Sequence, residues 1–190
     1  MSLNKYNQMR SFNATAEPEG IIKKSKNDLI FVVQKHAATN LHYDFRLEMD
    51  GVLKSWAVPK GPSLNPDNKR LAIMVEDHPY DYKDFEGTIP EGNYGAGTVI
   101  VWDNGTYHLV DAENTEDVTS ELLADLQKGH LSFILNGKKL KGEFALVRLK
   151  TKKDNTWLLI KKHDEFATED DILEKDKSVI SNVTLESLEK

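Results

Sequence analysis

From Leu41 to Met49 apolar and polar residues alternate without a break: Tyr43, Phe45, Leu47 and Met49 on one side of an extended strand, His42, Asp44, Arg46 and Glu48 on the other. The same short-period signal recurs along most of the chain. LIFVVQKH, from Leu29, reads as a β-branched strand. HYDFRLEMDGVLKSWAVP reads as a hairpin, with Asp50-Gly51 supplying the positive φ angles of a type I′ turn. PKGPSLNP is a loop stiffened by Pro59, Pro62 and Pro66, and RLAIMVEDHP is a strand ended by Pro79. YDYKDFEGTIPEGNYGAGT has too many breakers for a helix. VIVWDNGTYHLVD and HLSFILNGKKLKGEFALVRLK read as second and third hairpins, around Asn104-Gly105 and Asn136-Gly137, and TWLLIKKH as a last strand.

The period changes once. Over residues 115–128, Val118, Leu122, Leu123 and Leu126 form the apolar stripe of a helix whose first turn is acidic. Residues before Leu29 read as an irregular arm, and SNVTLESLEK at the end as a weak amphipathic segment. Many short strands with tight turns and one helix predict a mainly β fold: a compact antiparallel β-barrel with hairpins, one flanking helix and an N-terminal arm. The chain divides into the arm (1–28), part of the active domain, a barrel domain (29–163) and an acidic C-terminal tail (164–190). If the apolar face of 43–49 packs outward against helix and arm, the polar face lines the barrel interior or a cleft in it.

Composition narrows the classes. With 190 residues the chain suits one domain with appendages, and without cysteines it has neither disulfides nor thiolate chemistry. There is no apolar run of membrane-spanning length and no signal-peptide core at the N-terminus, so the expectation is a soluble, cytoplasmic protein with no membrane partner. The net charge of −6 argues against a purely electrostatic nucleic-acid binder, but it hides two basic blocks, residues 21–75 and 128–162, separated by an acidic one. Scattered solvated lysines and a positive groove fit that pattern equally.

The candidate chemistry sits in FVVQKHAATNLHYDFRLEMDG. His42 and Asp44 share a strand face, and His36 lies six residues before His42 across AATN, a spacing that suits a loop folding back over the strand. Two histidines and a carboxylate make a plausible open three-ligand site for Mn²⁺, Zn²⁺ or Fe²⁺. Arg46 follows on the same face as an anion binder, although an Asp44–Arg46 or Arg46–Glu48 ion pair would also explain it. His78 is a further candidate where VEDHP meets a proline. Lys60 and Arg70, beside the proline loop, suit phosphate contacts or plain solvation. IPEGNYGAGT has glycines for close approach to an anion but no Walker pattern.

The runs VVQKHAATNLHYDFRLEMDGVLKSWAVPKGPS, RLAIMVEDHPYDYKDFEGTIPEGNYGAGTVIVWD and GEFALVRL closely resemble the 3′-phosphoesterase domain of bacterial DNA ligase D and its stand-alone archaeal and bacterial relatives. The resemblance spans about Met9 to Lys162. It implies a β-barrel that trims 3′ ends with Mn²⁺, other divalent ions such as Co²⁺ or Zn²⁺ being alternatives. The family removes a terminal ribonucleoside, then the 3′-phosphate left behind. It implies metal ligands at His36, His42 and Asp44, catalytic or phosphate-contacting roles for Arg46 and His78, and functional weight at Gln34, Tyr82, Lys60 and Arg70. The family's opening Arg-Asp-Phe with a downstream Glu matches Arg10-Ser11-Phe12 and Glu17, implying a phosphate-binding role for Arg10 and Glu17, with Ser11 replacing the acid. The implied partners are DNA or RNA–DNA primer-template 3′ ends, with ligase and polymerase recruited in trans. Two other readings compete: a His-x-Asp barrel iron oxygenase with His78 as distal ligand, and a non-catalytic nucleic-acid-binding barrel.

Overall fold

The computed structural model describes residues 3–23, 28–110, 118–150 and 154–188. In chain order the elements are helix α1 (Leu3–Met9), strands β1 (Ile30–Ala37), β2 (Leu41–Met49), β3 (Val52–Val58), β4 (Arg70–Met74) and β5 (His78–Pro79), a 3₁₀ turn (Tyr80–Asp84), β6 (Gly87–Ile89), β7 (Gly97–Leu109), α2 (Val118–Lys128), β8 (His130–Gly137), β9 (Lys141–Arg148), β10 (Thr156–Lys161), a 3₁₀ turn (Ile172–Glu174) and α3 (Leu185–Leu188). The strands follow the order β1-β2-β3-β4-β10-β9-β8-β7, and β7 pairs back onto β1, closing an eight-stranded antiparallel barrel. β5 and β6 hang on its outside, against β3 and β7. The expected mainly β barrel is present.

The first hairpin forms as expected. Asp50 and Gly51 take φ of 50° and 79°, and Met49 pairs with Val52. Of the other two Asx-Gly hairpins, the second is not formed and the third is formed with its turn displaced. Asn104-Gly105 lies inside β7, a single strand. Gly105 serves close approach: a Cβ there would stand 2.1 Å from the Asn136 carbonyl oxygen on β8. The third hairpin turns one step beyond Asn136-Gly137, at Lys138–Lys139, with Asn136 opposite Lys141. The buried Asp103 carboxylate fixes that turn by accepting the amides of Lys138, Lys139 and Leu140 at 3.0, 3.0 and 2.8 Å. A long-range acid, not the dipeptide, decides where the chain reverses.

The barrel interior is the second correction. Tyr43, Phe45, Leu47 and Met49 point inward, into a core with Trp56, Trp102, Phe133, Phe144 and Trp157 that Leu122 of α2 completes. Each such side chain contributes roughly 1.5–3 kcal/mol by burial. The polar face of β2 therefore points outward. A smaller outer cluster covers it, where Tyr6, Tyr82, Phe85 and Ile89 pack on Val32, Leu53, Val99 and Val101. The arm is not irregular throughout, because α1 delivers Tyr6 into this cluster with no exposure. The helix expected over 115–128 is α2 from Val118; residues 115–117 lie outside the described residues. The C-terminal segment folds back on the barrel, where Trp102 Nε1 donates to the Lys175 carbonyl at 2.7 Å and Val179 N to the Val101 carbonyl at 2.9 Å. Among the described residues no helix is long and apolar enough to cross a membrane.

Candidate metal and phosphate site

Antiparallel register builds the site. Gln34 pairs with Asp44 and His36 with His42, so all four side chains project from the same outer face of the β1–β2 hairpin. His36 is thus the cross-strand neighbour of His42 and belongs to a strand, not to a loop folded over one. Their ring centroids lie 4.7 Å apart. Asp44 Oδ2 is 3.6 Å from His36 Nδ1, and Oδ1 is 3.7 Å from His42 Nε2. One potential ligand atom from each of the three lies within 4.8 Å of the others.

This donor set fits a divalent cation. His42 Nδ1 sits 3.0 Å from the Asn40 carbonyl oxygen, which can only accept. Nδ1 therefore carries the proton, and the lone pair of Nε2 faces Asp44 and His36. His36 Nε2 is buried with no hydrogen-bond partner, an orphan that an ion or its water would satisfy. Burial would raise the Asp44 pKa, but the Arg46 guanidinium, with His36 and His42, outweighs it and holds the carboxyl well below the usual range. The carboxylate is anionic at any working pH.

Arg46 comes next along the face, 2% exposed. Its Nε donates to Gln34 Oε1 at 2.8 Å, Nη1 to Ser55 Oγ at 2.9 Å and Nη2 to Asp44 Oδ2 at 3.1 Å. Gln34 is itself fixed, donating Nε2 to the carbonyls of Tyr82 and Phe85 at 3.0 Å each. Gln34 is fully buried behind the guanidinium and does not line the cavity, so its visible task is to aim Arg46.

The opposite wall comes from β5, the 3₁₀ turn and the arm. His78 does not end a long strand at Pro79, as the sequence suggested: β4 stops at Met74, and His78 sits in the two-residue β5 against Leu53. Its Nδ1 lies 3.0 Å from the Glu76 carbonyl oxygen, and its Nε2 3.2 Å from Arg10 Nη2. A carbonyl only accepts and a guanidinium only donates, so the proton is on Nδ1 and Nε2 is the acceptor. Arg10 also binds Glu17 Oε1 through Nε at 2.8 Å and Glu76 Oε1 at 3.2 Å, and Tyr82 donates to Glu17 Oε1 at 3.0 Å. Glu17, expected at a phosphate, anchors Arg10 and Tyr82 from behind. Ser11 meanwhile sits in a turn whose carbonyl accepts the Ala14 and Thr15 amides.

The cleft is about 110 Å³, lined by Arg10, His36, His42, Asp44, Arg46, His78, Tyr82 and others. That is well below the roughly 300–1,000 Å³ of drug-sized pockets, and it suits one phosphoryl group beside an ion. Lys60 and Arg70 are elsewhere, in a separate groove of about 440 Å³ with Pro59, Asp67 and Lys69. Arg70 Nε is buried there without a partner. Nor does His78 join His42 and Asp44 as a third ligand, so the oxygenase arrangement is not formed. Sequence reading missed Ser55, Glu76, Tyr6 and Tyr94 as parts of the site. Glu76 had a faint signal, an acid two residues before a candidate histidine; the others had none.

Burial, with the charges of Arg46 and Arg10, pushes the His78 pKa well below the ordinary 6.5, against smaller opposing effects of Asp44 and the Glu76 carbonyl. Below pH 6.5 the unfolded chain therefore binds a proton at His78 that the folded chain refuses, and folding stability falls as pH falls. The slope approaches about 1.4 kcal/mol per pH unit. Urea unfolding in EDTA, from about pH 7 to about pH 5, should show this slope reduced in His78→Gln. Equal slopes in the two proteins would mean that His78 titrates alike folded and unfolded.

Fold and site together define a class: an antiparallel β-barrel with a His₂Asp group that could hold a cation and a braced arginine on its outer wall. Residues 34–148 match the family model described as the DNA ligase D 3′-phosphoesterase domain, and the chain belongs to that family. It is 49% identical over 192 residues to the multifunctional non-homologous end joining protein LigD of Pseudomonas aeruginosa, a match covering 96% of this chain and 22% of that protein. It is 46% identical over 147 residues to the corresponding DNA repair protein LigD of Mycobacterium tuberculosis (77% and 18% covered), and 41% identical over 165 residues to that of Mycolicibacterium smegmatis (86% and 21%). The chain spans about a fifth of the length of these relatives.

Proposed function

We propose that this chain is a DNA repair enzyme of the non-homologous end joining type that heals 3′ ends: a metal-dependent 3′-ribonuclease and 3′-phosphatase leaving a 3′-OH for polymerase or ligase. The observation that carries this reading is the convergence of His36, His42 and Asp44 with Arg46 and His78 in one cleft the size of a phosphoryl group. The relatives are named for end joining, which supports DNA or RNA–DNA primer 3′ ends as substrate; in this reading a ligase and a polymerase act next on the healed end, in the cytoplasm.

His36, His42 and Asp44 would hold the divalent ion, Mn²⁺ in this reading with Co²⁺ or Zn²⁺ as substitutes, and it would supply Lewis acidity at phosphorus. The protein wall has reason to need a cation. Glu17, Glu76 and Asp44 outnumber Arg10 and Arg46, so the protein groups alone do not favour a phosphate. The N–H groups of Arg46 not taken by Gln34, Ser55 and Asp44 grip a phosphate oxygen and stabilise charge growing there. His78 begins as an acceptor. To act as the general acid, Nε2 must leave Arg10 and take up a proton against its buried surroundings, which the negative charge of an arriving phosphate favours. Water then attacks phosphorus, its oxygen forming the new P–O bond and its proton passing to solvent; the ester P–O bond breaks, and the leaving oxygen takes the proton from Nε2. In the diesterase step that oxygen is the 5′-oxygen of the terminal nucleoside; in the monoesterase step it is the strand's 3′-oxygen. Lys60 and Arg70 contact the strand backbone, which gives register without sequence readout.

The test is a primer–template ending in one ribonucleotide, or in a 3′-phosphate, incubated with the protein and Mn²⁺ or EDTA. Shortening to a 3′-phosphate and then a 3′-OH is expected with Mn²⁺ and not with EDTA. Intact ends in Mn²⁺ would sink the reading.

A further inference from the structure

The connection between β6 and β7 carries Tyr94 to the mouth of the cleft. Tyr94 is 44% exposed, whereas His36, Asp44, Arg46, His78 and Tyr82 around the same cavity are buried. Its loop is braced. Asn93 N and Nδ2 both donate to the Pro90 carbonyl, at 3.3 and 3.1 Å, and Ala96 N donates to the Asn93 carbonyl at 3.1 Å. Gly97 at the loop's end takes φ of 140°, and a Cβ there would lie 2.2 Å from the Ala37 carbonyl oxygen, so the loop is seated on the end of β1, next to His36. The Tyr94 ring is oriented from the cleft side. The Arg10 guanidinium lies 5.3 Å from its centroid, and its hydroxyl donates to Glu76 Oε2 at 3.4 Å. Arg10 and Glu76 hold the ring at the cleft's edge while nearly half of it stays in solvent, available to a flat apolar partner.

We infer that Tyr94 is the stacking platform for the nucleobase of the strand's terminal nucleotide, so that the site selects a nucleotide end over a bare phosphate ester. This rests on the phosphoesterase reading above. The phosphoryl group is assigned to the cleft among Arg10, Arg46 and His78, and Tyr94 is the exposed ring at its edge, so the base would lie at the mouth. Stacking is blind to base identity because every base offers a π-face. The Arg10 charge near the ring adds attraction for the same electron-rich surface.

The test uses strands ending in a 3′-phosphonate, whose C–P bond resists hydrolysis, with either a normal terminal nucleotide or an abasic one. Binding to the Mn²⁺-loaded protein is read by fluorescence anisotropy. Wild type should bind the normal end roughly 5- to 150-fold more tightly than the abasic end. Tyr94→Ala should compress that ratio to within about threefold, and Tyr94→Trp should keep it. A wild type indifferent to the base, or a Tyr94→Ala protein that still prefers it, overturns the inference. Turnover of a 3′-phosphate is followed separately. A wild type that prefers the base yet leaves the phosphate in place keeps the platform and removes the phosphoesterase reading.

Discussion

Asp44→Asn is expected to lose Mn²⁺ affinity by more than the 10- to 100-fold that typically follows loss of a mere outer-shell partner. The carboxylate is the hub of the site, lying 3.6 Å from His36, 3.7 Å from His42 and 3.1 Å from Arg46. The amide keeps the shape but removes the charge. It also leaves the buried Arg46 without its anion, and breaking a buried pair from one side costs about 3–5 kcal/mol of stability. The two effects separate experimentally. Mn²⁺ titration followed by electron paramagnetic resonance reads the free ion, and urea unfolding in EDTA reads the fold. His42→Ala should share the first effect with little of the second, because His42 is part-exposed and has no contact to Arg46 among its hydrogen bonds. Wild-type affinity in both variants would remove His42 and Asp44 as ligands.

Arg46→Lys is expected to lose roughly 2–4 kcal/mol of transition-state stabilisation, about thirtyfold to nearly a thousandfold in rate, although the charge is kept. The guanidinium is held on three sides by Gln34, Ser55 and Asp44, with its carbon 5.0 Å from the Tyr82 ring centroid. That frame fits a planar fork. An ammonium cannot satisfy the three partners and still present oriented donors to a phosphate. If Arg46 merely neutralises Asp44, lysine should largely suffice. Single-turnover removal of a 3′-phosphate at saturating Mn²⁺ distinguishes the two, with folding and metal content checked. A folded, metal-loaded lysine variant within about threefold of wild type would reassign Arg46 to structure.

Much of this was legible in the sequence because it is local. The alternation of 41–49 fixed which residues share a face, since successive side chains in a strand must point to opposite sides. Asp50-Gly51 marked a turn that formed where expected, and the stripe of Val118, Leu122, Leu123 and Leu126 marked α2. The grouping of His42, Asp44 and Arg46 followed from the same period.

Which face is inside was decided by tertiary structure. Alternation separates two faces but does not say which of them meets Trp56, Phe133 and Trp157 from strands far along the chain, and here the apolar face won the interior. His36 joined His42 through cross-strand register, which spacing alone does not define. Asn104-Gly105 made no turn because such a pair permits one without requiring it, and β1 and β8 claimed the backbone around Gly105; the third hairpin formed, with Asp103 placing its reversal just past Asn136-Gly137. The second wall of the cleft is the least legible part. Arg10 and Glu17 reach Glu76, His78 and Tyr82 across 65 to 68 residues of chain, and only the closed barrel brings those segments together. Local pattern determined the strands, one turn and one polar face; long-range pairing determined that this face looks outward, and what stands opposite it.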